Sequence, residues 1–249
     1  MKRTVLLIIG WFVFSMAFSQ SIEKMRVSYT FLHRDAKEQS VPLNSICYLS
    51  FGEDGNSVFF PQSTTIINDK PVENTKGFRV YKNAQDNLLT YREGVAYSLY
   101  YYTEKTPQYQ WEIQDGDTVV CDYPCQKAVT TFRGRTWTVW YAMDLPYSDG
   151  PWKLCGLPGL ILKAEDTRGD FSFTACKIEK GTQQDVALSL DKAIKVKPQE
   201  IEQEVADYMR NPLEKITGGR AKIDFSNAPE LAPKPKTPCR MEIFDKKKK

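Results

Sequence analysis

One histidine and six cysteines bound the chemistry open to this 249-residue chain. A serine or cysteine nucleophile commonly borrows a histidine as its base. The sole histidine, His33, stands beside Arg34 where a hairpin turn is expected, so it reads as an exposed turn residue. Histidine-dependent triads are therefore nearly excluded, and no catalytic residue is assigned. Asp144, Glu165 and Asp166 are the carboxylates a hydrolase would draw on, yet Asp166 and Asp170 flank Gly169 in the manner of solvated turn formers. Cys121 and Cys125 are separated by three residues rather than two, which does not match a thioredoxin-like redox pair.

The residues that favour recognition are cationic and aromatic. Arg133 and Arg135 flank Gly134, and Lys153 follows on a later loop. A guanidinium fork suits a carboxylate or phosphate. With Trp140 and Trp152 these residues form the candidate ligand- or partner-binding set: Arg133, Arg135, Trp140, Trp152 and Lys153. The plainer alternative is a solvated hairpin whose arginines pair with Asp144, Asp149 or Asp166. Tyr97, Tyr100, Tyr101, Tyr102, Tyr109 and Trp111 make a second aromatic group. It could line a groove for a peptide, glycan or lipid, although such residues on a sheet are often core.

The elements that must position these residues begin after a leader. Lys2 and Arg3, the apolar run Val5 to Phe14, and Ala17-Phe18-Ser19 predict a signal peptide over residues 1–19. The apolar run is shorter than the ~20 residues of a spanning helix, and no later segment could cross a membrane. Export favours bridged cysteines. Of the possible pairings, Cys125–Cys155 is preferred because it ties the strand entering F-R-G-R to the G-P-W-K loop. A zinc site from Cys121, Cys125 and Cys155 is the lesser alternative, and neither metal nor cofactor is assigned. The 34 basic and 31 acidic residues nearly balance, and six of the basic ones are Lys2, Arg3 and the terminal Lys246 to Lys249. Without a basic face, nucleic acid is not an expected partner.

From Met25 the chain alternates Met25, Val27, Tyr29, Phe31 against Arg26, Ser28, Thr30, the period of a strand with one buried face. Similar runs recur over Ile46–Phe51, Ser57–Phe60, Asn87–Arg92, Ala96–Tyr102, Tyr109–Gln114, Thr118–Cys121, Gln126–Phe132, Arg135–Ala142, Gly159–Glu165 and Phe171–Lys180. Turn formers such as Glu93-Gly94 and Asp115-Gly116-Asp117 separate them. Ser63 to Lys82 reads as a long loop. Pro198 suits a first helical position, Ile201, Val205, Tyr208 and Met209 share a face, and Asn211-Pro212 ends the helix. The expected fold is mainly β: an antiparallel curved sheet or incomplete barrel with one amphipathic helix, an architecture similar to periplasmic lipoprotein-carrier folds. Residues 20–220 form one domain. Residues 221–249 form a proline-spaced extended tail, which Cys239 could pin to the body.

The most distinctive stretch runs from Cys121 to Asp170. It holds C-x-K-A, F-R-G-R, a tryptophan-bearing strand, G-P-W-K-L and then Gly156-Leu157-Pro158-Gly159-Leu160-Ile161. On these residues the chain resembles the GLPGLI family of exported bacterial proteins. The resemblance implies the periplasm or surface of a bacterium with an outer membrane, and no established activity. Physically the motif reads as a turn followed by a buried strand, a clasp for Trp137, Trp140 and Trp152. The expected function is a non-enzymatic envelope module that binds an outer-membrane protein or an apolar or peptide ligand. The rivals are a secreted enzyme, either a carboxylate hydrolase or a cysteine redox protein, and a structural surface component.

Overall fold

A computed structural model describes residues 21–33, 43–62, 64–67, 70–73, 77–182, 187–217 and 241–242. The leader, Cys239 and all of the tail except Met241 and Glu242 lie outside the described residues.

Alternation builds the strands. The first, β1 (Glu23–His33), is followed by β2 (Leu43–Gly52) and β3 (Ser57–Pro61), a small ribbon of β4 (Thr64–Ile67) and β5 (Lys70–Glu73), and then β6 (Arg79–Asn83). The hairpin β7 (Leu88–Val95) and β8 (Ser98–Lys105) comes next, then β9 (Glu112–Val120), β10 (Tyr123–Phe132) and β11 (Arg135–Ala142). After a long loop follow β12 (Leu160–Asp166), β13 (Phe171–Lys180), β14 (Ala193–Lys195) and the helices α1 (Pro198–Arg210) and α2 (Pro212–Thr217). In β11 the rule is at its cleanest: Arg135, Trp137, Val139 and Tyr141 are buried while Thr136, Thr138 and Trp140 are only partly covered, as a period of two requires.

Twelve strands form one open sheet in the order β14-β8-β7-β6-β3-β2-β1-β13-β12-β11-β10-β9. It is antiparallel throughout except that β14 runs parallel to β8. β1 sits inside it, paired with β2 on one side and β13 on the other. The sheet curls, and the 143–159 loop between β11 and β12 fills its concave side. Trp152 of that loop meets Phe132 of β10 at 5.8 Å and Trp137 of β11 at 5.6 Å between ring centroids. Phe51 of β2 packs on Tyr147 at 4.7 Å.

The helix begins with Pro198 at its first turn, and the Glu200 carboxylate accepts the Lys197 backbone N–H at 2.7 Å, half of a capping box. Ile201 and Val205 are its buried face. Tyr100 of β8 donates to Glu204 at 3.3 Å, which docks the helix on the β7–β8 hairpin.

The structure departs from expectation in several places. Glu93-Gly94 is not a turn: both residues lie in β7, paired with Tyr100 and Leu99, and the chain reverses at Ala96-Tyr97, where Ala96 takes a φ of 53°. Asp115-Gly116-Asp117 is not a turn: β9 runs through it, bulged where the pairing with β10 slips between Cys125 and Lys127. The span expected to be a loop contains β4, β5 and β6. Asn211 does end α1, but Pro212 opens α2; its missing N–H costs nothing at a first helical position. His33 is no exposed turn residue. It closes β1, half-buried, with its ring stacked on Phe171 at 4.8 Å.

Candidate functional site

Trp152 and Lys153 sit at the centre of the loop that fills the sheet. Trp152 has φ of 54°, the left-handed region that a bulky residue enters only when its surroundings impose it. Both side chains are almost fully enclosed, Lys153 at 0% exposure. The backbone is fastened on either side: Tyr109 donates its hydroxyl to the Lys153 carbonyl at 2.9 Å, and the Trp111 indole N–H reaches the Cys155 carbonyl at 3.0 Å. Lys82 of β6 ion-pairs with Asp149 and donates to the Gly150 carbonyl at 2.6 Å. Leu160 N–H returns to Leu145 at 2.9 Å.

A buried ammonium without partners would be very costly. Lys153 has three donors and three acceptors. Nζ donates to Tyr102 Oη at 2.6 Å and to Glu104 Oε1 at 2.9 Å, and it ion-pairs with Glu242 Oε1. It also faces the rings of Tyr102 at 4.8 Å and Tyr91 at 5.4 Å, a favourable placement for a cation. Arg133, at the β10–β11 turn, pairs with the same two carboxylates, Glu104 and Glu242. Two cations and two carboxylates thus alternate around one point.

This arrangement sets the titration of its members. Burial by itself would lower the Arg133 guanidinium, but Glu242 and Glu104 outweigh it and raise the group further. Burial, then Glu242 and Glu104, push the Tyr102 phenol well up, so it stays protonated.

In front of this cluster lies a cleft of about 140 Å³, walled by Phe31, Phe78, Tyr91, Tyr102, Trp152 and Phe171. His33, Glu202 of α1, Met241 and Glu242 complete its lining. That volume is below the roughly 300–1,000 Å³ of pockets that engulf a whole small ligand. It suits a single side chain.

Of the five residues singled out by sequence, Arg133, Trp152 and Lys153 meet here. Arg135 is adjacent: it is buried on Asp166 and on Asp170 at 2.7 Å, and it meets the cleft's lining at Phe171, whose ring lies 4.7 Å from its guanidinium. Asp166 and Asp170 are thus committed partners of Arg135 rather than solvated turn formers. Trp140 lies on the other face, with its N–H on the Gly116 carbonyl at 3.1 Å and the Lys163 ammonium 4.4 Å over its ring. The clasp therefore gathers Trp137 and Trp152 but not Trp140. Sequence reasoning does not find Glu104, Glu242, Met241, Phe31, Phe78, Tyr91 or Glu202 as members of the site. Export chemistry suggests Cys239 as the anchor of the tail, whereas a carboxylate performs that task among the described residues.

The bridge expected between Cys125 and Cys155 is not formed; Cys47, Cys121, Cys125, Cys155 and Cys176 are all free thiols. Cys125 Sγ lies on the Tyr123 carbonyl at 3.4 Å, while Cys155 lies in the loop near Lys82 and Asp149. Burial pushes each of these two thiols up to about 11, and so neither is a ready nucleophile. A second cavity, of about 300 Å³, touches Cys155, Ser57, Lys82 and Asp149. Both Ser57 Oγ and Lys82 Nζ bind Asp149, and Lys82 further holds Gly150, so the group braces the loop.

The match to known families falls on this same region. Residues 132–163 match the family model described as "Protein of unknown function (Porph_ging)". They run from Phe132 through the motif at Gly156–Ile161 to Lys163. Nothing among curated proteins matches. Two solved structures of PNGF-II, in the P21 and C2 space groups, are similar over 74% of this chain at 16% identity with a TM-score of 0.53. They share the fold. The chain spans 33% and 32% of the length of those two chains.

Proposed function

We propose that this chain is an exported binding module of the cell envelope, whose aromatic cleft takes one apolar side chain of a partner protein or peptide. A single observation carries this reading: a cleft of about 140 Å³ with six aromatic walls ends on Glu242 and Tyr102, the partners of a fully buried lysine. Six rings around one small cavity offer far more apolar contact than a loop clasp requires, and aromatic anchor pockets are where binding energy concentrates. The leader-like first nineteen residues and the family resemblance support export to the envelope. The rival catalytic readings have less support: Asp166 and Asp170 are tied to Arg135, Glu165 pairs with Lys163 at 2.8 Å and burial keeps Cys125 and Cys155 protonated, which leaves them exposed Asp144 and the less buried thiols of Cys121 and Cys176.

Phe78 is half-buried at the cleft and offers a handle that spares the core. A photo-crosslinking side chain placed at position 78 of the full chain, expressed in its own envelope, should capture a discrete partner. The same group at Tyr97, which is 74% exposed, should not. Equal capture from both positions, or none from position 78, would count against the cleft.

A further inference from the structure

One wall of the cleft is the chain's own tail. Glu242 has a side chain only 5% exposed and sits between Arg133 and Lys153, one carboxylate oxygen on each. Met241 beside it lines the apolar part of the cavity. These two residues belong to no strand or helix. An apolar side chain followed at once by a carboxylate thus satisfies the two halves of the site. If Glu242 withdrew, Lys153 would keep Glu104 and lose the other carboxylate it now pairs with, and Arg133 would lose that same carboxylate. Leaving a buried cation short of its counter-charge is strongly unfavourable. Any state in which the tail leaves must therefore admit another anion.

We propose that the cleft recognises a partner peptide in which an apolar residue is followed immediately by glutamate or aspartate, and that Met241-Glu242 is its built-in competitor. This rests on the cleft being a binding site, as argued above. Binding then exchanges one carboxylate for another, and the tail sets a threshold. A tethered segment competes at an effective concentration on the order of millimolar. The apparent affinity of an outside peptide falls by the fraction of time the site is open.

The test uses the full chain and two peptides: acetyl-Arg-Met-Glu-Ile-Phe-amide, which copies residues 240–244, and the same peptide with Gln in place of Glu. In Glu242→Arg, repulsion from Arg133 and Lys153 opens the site. By calorimetry this variant should bind the Glu peptide roughly tenfold or more tighter than the unaltered chain does, and the Gln peptide roughly tenfold more weakly. In the unaltered chain carrying ¹³C-methyl methionine, the Met241 methyl signal should start shifted by the surrounding rings. It should move toward the free position as the Glu peptide reaches on the order of millimolar concentration. Equal binding of the two peptides overturns carboxylate recognition and leaves the apolar cleft standing. A folded Glu242→Arg chain that binds neither peptide overturns the proposal, and crosslinking from position 78 then decides separately whether the cleft binds anything. If Glu242→Arg does not fold, a Met241 methyl signal that stays fixed under saturating Glu peptide overturns it.

Discussion

Several charged side chains buried in this molecule are each held by more than one partner. Glu23 shows this away from the cleft. It is 4% exposed, accepts two bonds from Arg26 at 2.7 and 3.0 Å, and accepts the Thr182 backbone N–H at 2.7 Å. Burial raises its carboxyl, but the bonds from Arg26, Ser50 and Thr182 together bring it below the ordinary 4.5. A carboxyl depressed by folding stabilises the protein above its unfolded value, and that contribution disappears as pH falls through the folded value. Glu23→Gln should therefore flatten the decline of Tm between about pH 6 and about pH 3; parallel profiles for the two proteins would show that Glu23 contributes nothing there. At this scale the cations of the site are legible in the sequence and their partners are not. Arg133, Trp152 and Lys153 stand in local patterns of F-R-G-R and G-P-W-K. Glu104 and Glu242 lie 49 and 89 residues from Lys153, and an ion pair across such a distance leaves no local trace. Arg133 occupies a turn position with φ of 44° ahead of Gly134 at 77°, where asparagine is the usual choice. The arginine is retained at a conformational cost because its guanidinium is needed in the cluster.

The loop of residues 143–159 is the element on which the site depends, and its end is machined around one glycine. A Cβ at Gly159 would lie 2.2 Å from the Ala142 carbonyl oxygen, a backbone atom that cannot swing aside. Gly159→Val should destabilise the fold by about 3 kcal/mol, which lowers Tm by roughly 6–12 °C in a domain of this size. A thermal melt within a degree or two of the unaltered protein would refute that. The tight role of this glycine is legible in the motif itself, where it stands between a proline and an apolar run. Most strands and the helix are legible too, because each has a periodic face. β6 is hidden because Val80 and Tyr81 are buried on both faces of a five-residue strand, which erases alternation. β14 is hidden because three residues carry no period at all. In β9 the Asp-Gly-Asp sequence signals a turn, yet pairing with β10 continues on both sides of it, and the extra length is absorbed as a bulge.

Across the whole molecule the open sheet is assembled from distant parts. β1 pairs with β13 from Met25 with Lys180 to His33 with Phe171, so completing the sheet joins strands that lie far apart in the chain. Folding dominated by such pairings is slow, on the order of milliseconds to seconds. Stopped-flow refolding should show a main phase in that range, and completion within microseconds would exclude the topology described.

On the export proposed above, the place of β1 bears on when the chain can fold. The strand is made early, and one of its two partners is made late. At roughly 5–20 residues per second, the stretch between them takes on the order of ten seconds to synthesise. Throughout that interval the sheet has no way to complete itself. Under that proposal the chain would stay threadable through a narrow pore until the final strands exist, and the order of its strands alone would provide the delay.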